Sequence, residues 1–151
     1  MTSAKWVFIA YVFLAYYDLG MTWVLQLMHY PLYHNVGAAE FSAYIRANNR
    51  KAVFPAILPA VATLASSILL FWQRVDVVTT RQAIVAVALN VVVLLSTAVW
   101  QGRLHRQLAE TGKSETTVAV LVRTNWIRTG AFTAQAALAL QMLTEALTVG
   151  V

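Results

Sequence analysis

Apolar residues fill four long stretches of this chain, residues 6–28, 53–72, 82–101 and 126–148, and most charged residues gather between them. Each stretch runs about 20 residues, the length an α-helix needs to cross a hydrocarbon core of roughly 30 Å. The pattern predicts an all-α fold, a transmembrane four-helix bundle, built as a single integral membrane domain over residues 1–151. Trp6, Trp72, Trp100 and Trp126 stand near the ends of the spans, where amphipathic rings favour the membrane–water interface.

Local signals place the boundaries. Pro31 ends the first helix, Pro55 and Pro59 fall in the opening turns of the second, and Gly112 followed by Lys113 and Ser114 supplies a turn between the third and fourth. Residues 103–110 and 114–123 are charged or amphipathic and continuous with their spans, so helices three and four are expected to project into water as a hairpin. Between the first two spans, Phe41, Tyr44 and Ile45 recur at helical spacing among polar residues, which predicts a short interfacial helix within residues 36–50.

Composition agrees with the pattern: 60% of the residues are hydrophobic and only 11% charged, too few charges to solvate a water-soluble domain. The first stretch is too long and too aromatic for a signal-peptide core and lacks a small-residue cleavage site, so it is expected to be retained. Without cysteine there are no disulfides, thiolate nucleophiles or cysteine metal sites. The net charge of +5 sits beside apolar spans, which implies anionic lipid headgroups as partners and no nucleic acid.

Four crossings put both termini on one side, and the basic residues choose which. Arg46, Arg50, Lys51, Arg103, Arg106, Lys113, Arg123 and Arg128 fall on one side, and only Lys5, Arg74 and Arg81 on the other. The positive-inside rule then predicts a protein of the cell (inner) membrane with both termini on the non-cytoplasmic side.

Each span carries a polar seam. Tyr11, Asp18, Thr22 and His29 repeat at steps of seven, four and seven; Thr63 and Ser66 share a face with Pro59; Asn90, Thr97, Gln101 and His105 form a third stripe; Asn125, Arg128 and Gln135 form a fourth. Thr63, Ser66, Thr97 and Gln141 read as interhelical glue, each worth about 0.6–2 kcal/mol. Asp18 lies near the bilayer centre, where an ionised carboxylate costs about 2.5–3.5 kcal/mol on an insertion scale, and is a functional candidate beside the alternative of a protonated acid bonded to an amide such as Asn90.

His29, His105, Asn125 and Arg128 are expected at one depth near the cytoplasmic end. With Tyr30, Glu40 and Asn48 they would ring the mouth of the seam with a base, a cation and amides, while His34 is expected in solvent. Histidine takes a proton near neutral pH, and arginine and asparagine stabilise an oxyanion, so the set points to an anionic or enolisable ligand. The alternative is a histidine and an arginine that snorkel to headgroups. Candidate catalytic residues are thus Asp18, His29, His105 and Arg128, and candidate substrate-binding residues include Tyr30, Asn48, Asn90, Asn125 and Gln135. No pair has tight metal-ligand spacing, so no metal site is assigned, with His29 and His105 the place to look for one.

Two segments carry a resemblance: Gln26-Leu-Met-His-Tyr-Pro-Leu-Tyr33 with the following Phe41 and Tyr44, and Thr124-Asn-Trp-Ile-Arg-Thr129 at the opening of the last helix. Together they resemble small four-helix membrane proteins of the anthrone-oxygenase-like family. The resemblance implies oxidation of a polycyclic phenolic anthrone to a quinone by molecular oxygen, without a bound cofactor. His29 or Asp18 would remove the proton, Asn125 and Arg128 would hold the enolate, and Tyr11, Trp23, Trp100 and Trp126 would line an aromatic pocket, against their other reading as packing residues and interface anchors. The family pattern has histidines near Ile45 and Asn48, where this chain has none.

Two further functions remain open at this point. An acid-initiated cyclase would use Asp18 or Glu145 to protonate an alkene or epoxide. A transporter or lipid-binding subunit would use Asp18 and the amide seam as a path, and with four helices would need a homo-oligomer or a partner.

Overall fold

The computed structural model describes residues 2–149, and these are helical with no strand among them. Helix α1 covers Ser3–Val24, α2 Phe41–Lys51, α3 Leu58–Trp72, α4 Thr80–Ser96, α5 Gly102–Thr111 and α6 Glu115–Val149. Three of the long helical segments, Ser3–Asn35, Val53–Trp72 and Thr80–Thr111, are long and apolar enough to cross a membrane. The expected fourth span differs: residues 126–148 are helical within α6, but Arg128, Gln135, Gln141 and Glu145 make that stretch less apolar than the other three. The reason lies in the packing, because Asn125, Arg128, Thr129 and Gln135 of α6 are buried against other helices.

The ends of these helices follow from particular residues. Thr79 and Gln82 form a reciprocal cap on α4, Gln82 N donating to Thr79 Oγ1 (3.2 Å) and Thr79 N to Gln82 Oε1 (2.8 Å). Pro59 has no N–H to offer the carbonyl four residues earlier, so the Pro55 carbonyl is left open. It accepts from the Tyr17 hydroxyl of α1 at 3.0 Å instead. Gly112, at φ +86° and ψ −163°, separates α5 from α6 in a backbone region that only glycine adopts without strain. Gly112→Ala is therefore expected to destabilise the protein by about 1–3 kcal/mol, measured by thermal unfolding in detergent.

Helix α1 packs against α3 and α6, and α4 against the same two, while α2 packs on α5. One apolar core gathers Phe8, Tyr11, Leu70, Val78 and Met142 at the end that holds the termini. A second gathers Tyr30, Tyr33, Phe41, Ile45, Leu108, Val118 and Leu121 at the other end. The apolar residues Phe41 and Ile45 of α2 are thus covered by protein, against α5 and α6, whereas the sequence pattern alone had them facing a membrane surface. Lys113 pins the preceding loop to the α5–α6 turn, its Nζ donating to the His34 and Val36 carbonyls (2.6 and 3.0 Å). His34 is exposed and hydrogen-bonded to Glu115; that bond, with a second from Lys113, holds the Glu115 carboxyl below the usual carboxylate range.

Between the two cores lies a polar layer: the Thr63 hydroxyl is shared between the Asp18 carboxyl and the Pro59 carbonyl of its own helix, and Asn90 Nδ2 donates to Ser67 Oγ at 3.3 Å. Outside, the surface is apolar, with Phe13, Phe54 and Trp72 each more than 60% exposed.

Candidate functional site

Three π turns interrupt the helices, at Leu25–His29, Val53–Ile57 and Thr97–Gln101. A π turn accommodates one extra residue and rotates the helix beyond it, and such turns collect at functional sites. All three border one cavity of about 430 Å³, through Leu25 and His29, through Pro55, Ala56 and Ile57, and through Thr97 and Gln101. The first rotates the polar stripe of α1, so that Gln26 stays buried while the partly buried His29 lines the cavity. At the third, Gly102 N donates to the Thr97 carbonyl, and a Cβ on Gly102 would stand 3.3 Å from that oxygen, tighter than ordinary contact.

Of the residues expected from sequence, His29, Tyr30, Asn48, His105 and Arg128 all line this cavity, from four separate segments of the chain. Asn125 stands behind the wall, where its Oδ1 accepts from Arg128 Nη1 at 3.3 Å. Asp18, Asn90, Tyr11 and Gln135 are buried elsewhere in the bundle and do not line it. Trp23, Trp100 and Trp126 lie on the outer surface, each more than a third exposed; Trp23 meets Trp126 edge-to-face at 5.7 Å and donates to Thr133. Glu40 is exposed and also outside the cavity.

His29 is held from one side. Its Nε2 lies 2.9 Å from Asn48 Oδ1 and 3.3 Å from the Tyr33 hydroxyl, and Asn48 Nδ2 in turn donates to that hydroxyl at 2.9 Å. An amide oxygen only accepts, so the ring proton sits on Nε2 and leaves Nδ1 as the basic nitrogen of the neutral ring. Tyr30 stands between the two histidines, its ring centroid 5.7 Å from His29 and 5.5 Å from His105, and its hydroxyl 3.4 Å from His105 Nε2.

Arg128 is 7% exposed, and among the described residues no carboxylate is within ion-pair distance of it. Its Nη1 donates to the neutral Asn125 and its Nε has no partner, while the Tyr30 hydroxyl and, at longer range, the Asp18 carboxyl also interact with the guanidinium. A buried charge is ordinarily paired, because desolvation without a counter-charge costs several kcal/mol.

Gln26 is the residue that the sequence pattern did not single out. Its Oε1 accepts from Asn125 Nδ2 (2.9 Å) and Thr129 Oγ1 (3.3 Å), and its Nε2 donates to the Val122 carbonyl (3.2 Å). It thereby sets the amide that orients Arg128. Its signals in the sequence were its place four residues after Thr22 and at the head of the Gln26–Tyr33 segment. Gln26→Leu takes from Asn125 Nδ2 its 2.9 Å acceptor and leaves it only the 3.5 Å contact with Thr129 Oγ1, while Thr129 keeps the Asn125 carbonyl at 3.2 Å; the expected cost in thermal unfolding is about 1–3 kcal/mol, and a loss well below 1 kcal/mol would show that water replaces it.

No group of three or more His, Cys, Asp or Glu side chains comes together among the described residues. Compared with protein-family models, with curated proteins and with solved structures, the chain matches none.

Proposed function

We propose that this chain is an integral membrane enzyme of four spans that removes a proton from a lipophilic, enolisable aromatic substrate and passes the resulting enolate to molecular oxygen. The membrane reading is supported by the three long apolar helices and by the outward face of α6. From Trp126 through Ile127, Gly130, Thr133, Ala134 and Ala137 to Leu140, its exposed residues carry no charge. Inward-turned polar residues then allow α6 to serve as the fourth crossing beside three more apolar helices.

The enzymatic reading is carried by one observation: a buried Arg128, with no carboxylate within ion-pair distance among the described residues, shares a cavity with His29, whose ring is oriented by Asn48. A base held by a neutral partner and a cation awaiting a negative charge are the two groups an enolate-forming step requires. His29 Nδ1 would take the proton, and Arg128 would hold the oxygen on which charge develops. With oxygen, a methylene becomes a carbonyl and one molecule of water leaves, so each substrate consumes one O2. Asp18 and Glu145, the acids a cyclase would need, are engaged elsewhere, by Thr63 and by Gln82 and Gln141.

The test is oxygen uptake by purified protein in detergent with a hydroxylated anthrone. One O2 consumed per quinone formed, above the rate without protein, is the expected result. Uptake no faster than in buffer, across a panel of enolisable polycyclic phenols, would remove the oxygenase reading.

A further inference from the structure

We infer that the groove between α2 and α5 is a phosphate-binding site at the level of lipid headgroups, in which Arg46 and Arg106 hold one phosphate ester, that of an anionic membrane lipid or of a water-soluble compound. This rests on the membrane part of the reading above and not on its oxygen chemistry.

The groove encloses about 570 Å³ and is lined by Arg46 and Asn49 of α2 and by Gly102, Arg106, Ala109 and Glu110 of α5. Both arginines are exposed, so a ligand reaches them from outside. A second depression, of about 450 Å³, shares Arg46 and Asn49 and adds Arg50. Glu110 is the one carboxylate in the lining, and among the described residues none of these arginines comes within ion-pair distance of it. The lining is therefore net positive, and its guanidinium groups are open to an anion.

One contact fixes the groove's geometry. Ala109 falls in the last turn of α5, whose carbonyls lack a donor within the helix. Arg46 Nη1 donates to the Ala109 carbonyl at 3.0 Å. That bond ties the two walls together and orients the Arg46 guanidinium, leaving its other N–H groups for a ligand.

Depth and shape select the ligand. Lys51 closes α2, and the next exposed residues, Val53 and Phe54, are apolar. Gly102 opens α5 soon after the exposed Val99 and Trp100. The groove thus stands where two apolar helices emerge, at the depth where lipid phosphates sit and attract basic side chains. A carboxylate offers two oxygens in one plane, enough for one guanidinium, whereas the tetrahedral oxygens of a phosphate face both walls at once.

The test titrates the purified protein, in detergent at about 0.15 M salt, with dioctanoyl phosphatidylglycerol, dioctanoylglycerol, glycerol phosphate and inorganic phosphate. Arg46→Gln with Arg106→Gln is expected to weaken phosphatidylglycerol by about thirtyfold, the value of two cations at the membrane surface. Arg103→Gln with Arg123→Gln, at the same end of the bundle but outside the groove, should cost less than about threefold. Equal losses for the two pairs overturn the inference, because the lipid then answers only to the general charge of that end. Neutral dioctanoylglycerol binding as tightly as phosphatidylglycerol overturns it too. Arg46 bridges two helices, so Arg106→Gln alone guards against a misfolded double variant: it should cost about fivefold, and no loss in the folded protein overturns the inference. Binding of phosphatidylglycerol alone supports the site with a lipid as its source, and glycerol phosphate or inorganic phosphate competing as tightly supports it with a soluble source. A chain that stays in solution without detergent removes the membrane reading, and the contrast between variants is then read with glycerol phosphate.

Discussion

Arg128→Met is expected to abolish turnover while leaving the protein as stable as before or more so. In the folded state the guanidinium is buried, bonded at Nη1 to a neutral amide, and among the described residues no carboxylate lies within ion-pair distance of it. Replacing buried charge by an apolar side chain of similar volume is often neutral or stabilising by about 1–4 kcal/mol. Against that stands the Asn125 oxygen left without its donor, a cost of about 1–3 kcal/mol. The net expectation is an unfolding temperature that stays level or rises. Turnover moves the other way: losing the group that holds a developing oxyanion costs about 10²–10³-fold in kcat. Stability kept while turnover is lost would assign Arg128 to a ligand and not to the fold. If Arg128→Met instead unfolds the protein, the arginine is structural, and its partner is a lipid or water within the fold.

His29→Gln is expected to lower kcat by about 10²–10⁴-fold, the contribution of a positioned general base, with little change in substrate affinity. Glutamine keeps a polar group near Asn48 but cannot take a proton. Asn48→Ala should give a smaller loss of the same kind, because the ring then loses the acceptor that fixes its tautomer, and Tyr33 alone remains beside Nε2. Equal binding with lost turnover identifies the base. Unchanged oxygen uptake in both His29→Gln and Arg128→Met would move the chemistry out of this cavity.

Much of this arrangement was legible in the chain, for physical reasons. Helix periodicity placed Asp18 and Thr22 on a buried face of α1 and Asn90 and Gln101 on a buried face of the third segment, because side chains four or seven apart overlie one another. Proline and glycine chemistry marked the segment boundaries, and the turn expected at Gly112 is where the structure has a positive φ. His29, His105 and Arg128 were placed at one depth simply by counting residues from the span ends, and all three line the cavity.

Other features were not legible, and each depends on contacts between distant residues. Trp23, Trp100 and Trp126 carry two readings in the sequence, pocket wall and packing residue or interface anchor, and the packed bundle places them on its outer surface. Phe41 and Ile45 form the same amphipathic stripe whether a membrane surface or α5 covers them, and only packing distinguishes the two. The fourth segment is less apolar than the others because its polar residues Arg128, Thr129 and Gln135 face inward.

The chain by itself determined that long apolar helices form, where they begin and end, and which polar residues they carry, since these follow from helix length, periodicity and backbone chemistry within one segment. Tertiary structure decided what the polar residues do. Three π turns in separate segments border one cavity, Gln26 and Asn125 meet across 99 positions of sequence to set Arg128, and among the described residues no carboxylate comes within ion-pair distance of that arginine. Such facts depend on how helices rotate and pack against each other, which no single segment encodes.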